Sequence, residues 1–167
     1  MTTEVIIALG SNLAYPAENL SKAIECLKML FDAPVRASSY WQSEPINMED
    51  HAAAFLNAVV LSRTDLKPVA LLQKLEEIEM MMGRQKSGIS KLAYSHSRTI
   101  DLDIIAYGNE LIDSDFLTVP HPRAMQRLFV LLPLAQLCPE YCFPGQSSSL
   151  NDLIRKAPLM EINDLGQ

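Results

Sequence analysis

The chain has 167 residues, 49% of them hydrophobic and 20% charged, which fits one globular domain that buries its core without disulfides or a structural metal. Fibrous, collagen-like and disordered classes are excluded. The balance of 14 Lys+Arg against 20 Asp+Glu, net −6, argues against a surface that attracts nucleic acid or anionic membrane as a whole, and leaves room for local basic patches.

Residues 5–9 form a short β-branched run closed by Gly10-Ser11-Asn12, which predicts a buried strand ending in a turn. The run is too short for a membrane span and has no basic segment before it, so it does not read as a signal peptide. The 3 cysteines, Cys26, Cys138 and Cys142, are too few and odd in number for a disulfide framework, and a reducing, cytoplasmic location is expected. From Pro16 the apolar residues Leu20, Ala23, Ile24, Leu27, Leu30 and Phe31 recur at three- and four-residue steps, predicting a helix that Asp32-Ala33-Pro34 ends. Residues 35–42 and 55–62 predict two strands joined by a longish loop.

After Lys67-Pro68, one helical face carries Leu71, Leu72, Leu75, Ile78 and Met82, the other Lys74, Glu76 and Glu77, until Gly83 stops the pattern. Residues 84–97 have no sustained period, and 99–107 resume as a strand ended by Gly108-Asn109. The order β-α-β-β-α-β predicts an α+β, ferredoxin-like fold, an antiparallel sheet with two helices on one face. The remainder, with prolines at 120, 122, 133, 139 and 144, is expected as short helices and turns around that plan, so that 1–167 is a single domain. Leu150, Leu153 and Ile154 predict a docked helix followed by fraying residues.

The sharpest constellation is Arg98-Thr99-Ile100-Asp101-Leu102-Asp103-Ile104. On a strand, Asp101 and Asp103 project together, opposite Ile100, Leu102 and Ile104, with Cα atoms about 6.5–7 Å apart. Such a pair suits divalent cations shared with substrate phosphates; an edge strand with a wetted acidic face explains the same spacing. Arg84, Lys86, Lys91, His96 and Arg98 concentrate cations just before the strand, as a lid over a nucleoside triphosphate would require or as a solvated loop would allow. Val119-Pro120-His121-Pro122-Arg123, with Arg127 and Phe129 beyond, adds guanidiniums and an imidazole near a stiff turn. Gly83 to Ser90 has the glycine spacing of a P-loop, but Ile89 stands where its lysine must be and the segment follows a helix. An RNA-binding module is disfavoured, because the strands lack the aromatic pattern such domains use.

These segments, with Ala8-Leu9-Gly10-Ser11-Asn12-Leu13, Ser43-Glu44-Pro45, Phe55-Leu56-Asn57-Ala58-Val59, Ile78-Glu79 and Gly83-Arg84, occur in the order found in 6-hydroxymethyl-7,8-dihydropterin pyrophosphokinases, and the chain resembles that family over roughly residues 4–145. The resemblance implies transfer of pyrophosphate from ATP, as co-substrate, to a pterin hydroxymethyl group in folate biosynthesis. It implies two Mg2+ on Asp101 and Asp103, and a catalytic set completed by Arg84 and Arg98. It further implies ATP contacts from Glu79, Lys86, Ile104, His121 and Arg127, and pterin contacts from Ser43, Glu44, Ile46, Phe55, Asn57 and Phe129. Without the resemblance, Phe55 and Phe129 read as core and Glu79 as a helix-surface acid. The expected partners are small molecules, with no nucleic acid and no membrane, for a monomer or weak dimer. The segment before Arg98 departs from the family pattern: Lys86 replaces an arginine, no Trp-Gly-Pro occurs, and Tyr94 and His96 stand near the missing Trp. Lysine keeps the charge and loses the bidentate fork. A paralogue acting on another pterin, or a non-catalytic pterin- or nucleotide-binding module, therefore stays open as an alternative.

Overall fold

In the computed structural model of the chain, which describes residues 1–44, 53–83 and 99–166, the plan is filled by β1 (Thr3–Ser11), α1 (Pro16–Leu30), β2 (Arg36–Ala37), β3 (Trp41–Ser43), β4 (Phe55–Thr64), α2 (Pro68–Met81) and β5 (Asp101–Tyr107). Beyond it come β6 (Ile112–Asp113), β7 (Thr118–Val119), α3 (Leu128–Leu137), α4 (Leu150–Lys156) and β8 (Ile162–Asp164). The main sheet runs β5-β1-β4-β3-β8, with β2 also on β4 and every pairing antiparallel, while β6 and β7 form a separate ribbon.

Strand alternation divides the apolar residues between two cores. Val5, Ile7 and Leu9 of β1, with Ala58 and Val60 of β4, face down onto Leu20, Ala23 and Leu27 of α1 and Leu71 and Leu75 of α2. Ile6, Val59 and Leu61 face up with Ile105 and Ala106 against α3 and α4. Each fully buried Leu or Ile contributes about 1.5–3 kcal/mol. The two-helix face thus stands as expected, but the opposite face is covered by a second layer. That layer includes α3, a ten-residue helix that forms despite Pro133 inside it.

Two further segments differ from the sequence expectation. Residues 35–42 form two short strands, because the register against β4 shifts by one between Ala37↔Val60 and Trp41↔Asn57. At the break the Ser38 N–H donates to the Val59 carbonyl and the Ser38 hydroxyl accepts the Val59 N–H, both at 2.9 Å, so no ladder group is stranded. The C-terminal residues after α4 do not fray: β8 pairs with β3, Gln42 opposite Asn163. The α4 helix itself is opened by a capping box between Ser149 and Asp152.

Gly108 ends β5 at φ +52°, and a Cβ there would lie 2.7 Å from Thr3 Cγ2. Gly108→Ala is therefore expected to destabilise the fold by about 1–2 kcal/mol through backbone strain and the clash. A shift in the urea midpoint measures it, and an unchanged midpoint would contradict the strain.

Candidate active site

Beyond the start of α3, the pairing register gathers chemistry-bearing residues on one stretch of the upper face of the sheet. Gly10 of β1 is opposite Asp101 on one side and Asn57 on the other, Ala8 is opposite Asp103, and beyond β4 Asn57 is opposite Trp41 and Phe55 opposite Ser43. Directly opposed residues share a face, so all of these share the side occupied further along by Ile6, Val59 and Ile105. With strands about 4.8 Å apart, Asp101 and Asn57 rise from backbone points about 10 Å apart, separated only by a glycine. A Cβ on Gly10 would lie 3.5 Å from Asn57 Oδ1 and 3.8 Å from the Phe55 ring, ordinary contacts for one carbon. Gly10→Ala should keep activity within about threefold, whereas Gly10→Leu fills the gap and should raise the KM of a substrate lying across it by about tenfold or more. Steady-state kinetics checks the pair, and an unchanged KM in the leucine variant would mean that substrate does not cross Gly10.

Both aspartates are half-buried on β5, which is an edge strand, but its acidic face is not merely wetted. His121 is tied to the same strand by its N–H, which donates to the Ile105 carbonyl at 2.9 Å. Burial holds the His121 imidazole below the usual histidine range; Asp103 pulls it back up, and the guanidiniums of Arg127 and Arg123 lower it again. Its Nδ1 accepts the Arg123 N–H at 3.2 Å, so the neutral ring carries its proton on Nε2 and can donate from there. Arg127 is lowered from its ordinary value by burial and by Arg123, while Asp103 and Asp101 act in the opposite sense. Its guanidinium lies 5.4 Å from the centroid of the half-buried Phe129 ring, a cation–π contact that orients it. Two carboxylates, an imidazole and a guanidinium are thus within electrostatic reach of one another, drawn from 101–127.

Asn57 is buried, and its Nδ2 donates to Ser43 Oγ at 2.8 Å and to the Trp41 carbonyl at 3.1 Å. The carbonyl partner fixes the amide orientation, leaving Oδ1 on the Gly10 side, an acceptor for a ligand N–H. Ser43 is buried and reaches the site through Asn57, while the Glu44 N–H donates to the Glu161 carbonyl at 3.3 Å. Phe55 lines the same face, half-buried.

Glu79 is not a helix-surface acid. It is 2% exposed, and its Oε1 accepts the Leu102 N–H at 2.8 Å, clamping the backbone between the two aspartates. The signal was present in the sequence, since Glu79 continues the Leu71, Leu75 stripe at four-residue steps. Ile104 is buried in the lower core, and by the period of two its N–H points, like that of Leu102, along the open edge of β5, so its backbone rather than its side chain can meet a ligand. Ile46, Arg84, Lys86 and Arg98 lie outside the described residues, as do Lys91 and His96. Gly10 and Trp41, which complete the row, were missed as site residues, because only strand register reveals them.

A family profile described as 7,8-dihydro-6-hydroxymethylpterin-pyrophosphokinase (HPPK) matches residues 6–139. The chain belongs to the HPPK family. It is 36% identical over 151 residues to the 2-amino-4-hydroxy-6-hydroxymethyldihydropteridine pyrophosphokinase of Haemophilus influenzae, with 90% of each chain covered. The protein of the same name in Pseudomonas aeruginosa is 36% identical over 166 residues, covering 99% of this chain and 98% of that one. A folate synthesis bifunctional protein of Arabidopsis thaliana is 42% identical over 134 residues, which are 80% of this chain and 27% of that protein. A solved Plasmodium falciparum HPPK-DHPS structure superposes with a TM-score of 0.72 at 14% identity, over 93% of this chain and 44% of the other, and shows the shared fold. The chain thus spans nearly the whole of these bacterial HPPK relatives and less than half of the longer proteins.

Proposed function

We infer that the enzyme transfers the β,γ-pyrophosphate of ATP to the hydroxymethyl group of 6-hydroxymethyl-7,8-dihydropterin, giving AMP and the pterin diphosphate, in folate biosynthesis. Family membership over nearly the full chain supports the reaction. The observation that carries it in the structure is the single sheet face on which Asp101 and Asp103 stand on one side of Gly10 and Asn57 and Phe55 on the other.

Among the described residues no cluster of three or more His, Cys, Asp or Glu side chains could cage a metal ion. A carboxylate pair instead suits a hard cation that keeps water and substrate oxygens in its shell, as Mg2+ does, so Asp101 and Asp103 fit it. Two Mg2+ bound there would supply charge neutralisation and polarisation of the phosphate oxygens. The rest falls to the chain. Arg127 and the Nε2–H of His121 bind the phosphates, with Arg84, Lys86 and Arg98 proposed to close over them and stabilise the transition-state charge. The backbone of Ile104 and the region of Glu79 serve the nucleoside end. Asn57 Oδ1 accepts from the pterin edge, the backbone of Ser43, Glu44 and Ile46 frames that edge, and Phe55 and Phe129 flank the ring. So held, the pterin hydroxyl oxygen forms a bond to the β-phosphorus in line and releases its proton to solvent, while the bond from the β-phosphorus to the bridging oxygen breaks and its electron pair leaves on the α-phosphate of AMP. The reading places a monomer or weak dimer in the cytoplasm with small-molecule partners alone; no helix of the described residues is long and apolar enough to cross a membrane.

AMP release from Mg-ATP, with and without the pterin and with Asp101→Ala as blank, tests the proposal. Pterin-dependent AMP is expected. A folded protein that binds pterin and releases none would overturn it.

A further inference from the structure

The last strand of the chain has no part in the reaction as described, yet it is built into the wall that faces the pterin. β3 is three residues long, and on its own would be a weak edge. β8 pairs along all of it, Trp41 opposite Asp164, Gln42 opposite Asn163 and Ser43 opposite Ile162. The pairing continues beyond the strand at both ends. The Glu44 N–H donates to the Glu161 carbonyl at 3.3 Å, the Leu165 N–H to the Tyr40 carbonyl at 2.8 Å, and the Tyr40 N–H to the Gly166 carbonyl at 2.9 Å.

A side-chain network locks the same register. Asp164 accepts from the Ser39 hydroxyl at 2.7 Å, from the Gly166 N–H at 2.8 Å and from Gln136 Nε2 at 2.9 Å. Those donors, Ser39 first, hold its carboxyl below the usual range. Gln136, on α3, accepts in turn from the Trp41 indole N–H at 3.2 Å. Trp41 and Ser43 are the two residues of β3 that receive the Asn57 amide, through a carbonyl and a hydroxyl. The orientation of Asn57 Oδ1 over Gly10 therefore depends on β3, and β3 is held from its outer side by the tail. Asp101, Asp103, His121 and Arg127 make none of these contacts.

We propose that β8 is a positioning element for the pterin site: by bracing β3 it fixes the Ser43–Asn57 wall, and so sets affinity for the pterin and not for the nucleotide. The proposal rests on the pterin reading of that wall. It is tested in the full chain carrying Asp164→Ala with Leu165→Pro, which removes the carboxylate network and the Leu165 N–H at an exposed position. The pterin KM should rise about tenfold, with the Mg-ATP KM and the kcat at saturating pterin within about twofold of wild type. Amide exchange at Tyr40 and Glu44 should accelerate in the same protein. An unchanged pterin KM while those amides exchange fast overturns the brace alone. A parallel rise in both KM values overturns it too, since general loosening would produce that. Asp164→Ala alone breaks none of the backbone-to-backbone hydrogen bonds between β3 and β8, losing only the contacts of its carboxylate, and should move the pterin KM in the same direction by about threefold even if the double variant does not fold. A wild-type protein without pterin-dependent turnover removes the pterin reading itself, an outcome distinct from the others.

Discussion

Asp101→Ala and Asp103→Ala are each expected to lower kcat by about 1000-fold or more while leaving the fold intact, on the proposal that the pair holds the cations that bind the substrate phosphates. Both side chains are half-buried on an edge strand, and the apolar residues between and beside them, Ile100, Leu102 and Ile104, face the other way into the lower core. Truncating the aspartates therefore opens no cavity in that core. The thermal midpoint should therefore move by no more than about 2–4 °C. Asp→Asn at each position keeps the shape and removes the charge, and should be almost as inactive if charge is what the site uses. Calorimetric titration with Mg-ATP should show the affinity lost in step. Either alanine variant retaining more than about a tenth of wild-type kcat would sink the role of the pair.

Glu79→Ala should act on both stability and rate. The carboxylate is buried and accepts an N–H on the side of β5 that has no neighbouring strand among the described residues. Leaving that N–H without its charged acceptor costs about 2–3 kcal/mol. Because the bond falls on Leu102, between the two aspartates, the loss also frees the backbone that spaces them, and a displacement of about 1 Å in a site can lower kcat on the order of 10–100-fold. Glu79→Gln keeps an acceptor oxygen in place and should recover most of the stability. An alanine variant as stable as wild type in urea would show that the hydrogen bond contributes nothing.

Much of this was legible beforehand where one periodicity governed the residues. The three- and four-residue steps from Leu20 to Leu27 and from Leu71 to Ile78 place both lower helices, and the period of two sets Asp101 and Asp103 on one face. Legibility failed where a partner distant in sequence made the structure. Ile162-Asn163-Asp164 carries no strand alternation and becomes β8 because β3 offers an open edge. The break at Ser38 depends on a hydroxyl that accepts a ladder N–H of β4 in place of a carbonyl. α3 was obscured by Pro133 and by an almost wholly apolar composition, which shows no polar face because the helix is packed between the sheet and α4. Motif and spacing singled out the aspartates, His121 and Arg127, which the structure brings together; Gly10 emerges only from register, and the burial of Glu79, foreshadowed by its place in the Leu71, Leu75 stripe, only from packing.

The register between β1 and β5 shifts between Ile6 and Ile7, so that Ile7 faces Ile104 and Ile6 faces Ala106, with Ile105 the extra residue. Below this point odd positions of β5 look up and even ones down; above it the parity is exchanged, and Tyr107 returns to the lower core, where its hydroxyl donates to the Leu66 carbonyl at 2.8 Å. The strand has thus accommodated one inserted residue, at a place where the exchange begins only after Asp103. An extra residue placed before Asp101 would instead turn both carboxylates into the apolar core and Leu102 out to the ligand. β1, β4 and the first half of β5 therefore cannot gain or lose a single residue without trading chemistry for core, whereas the second half of β5 carries its extra residue at no expense to the site.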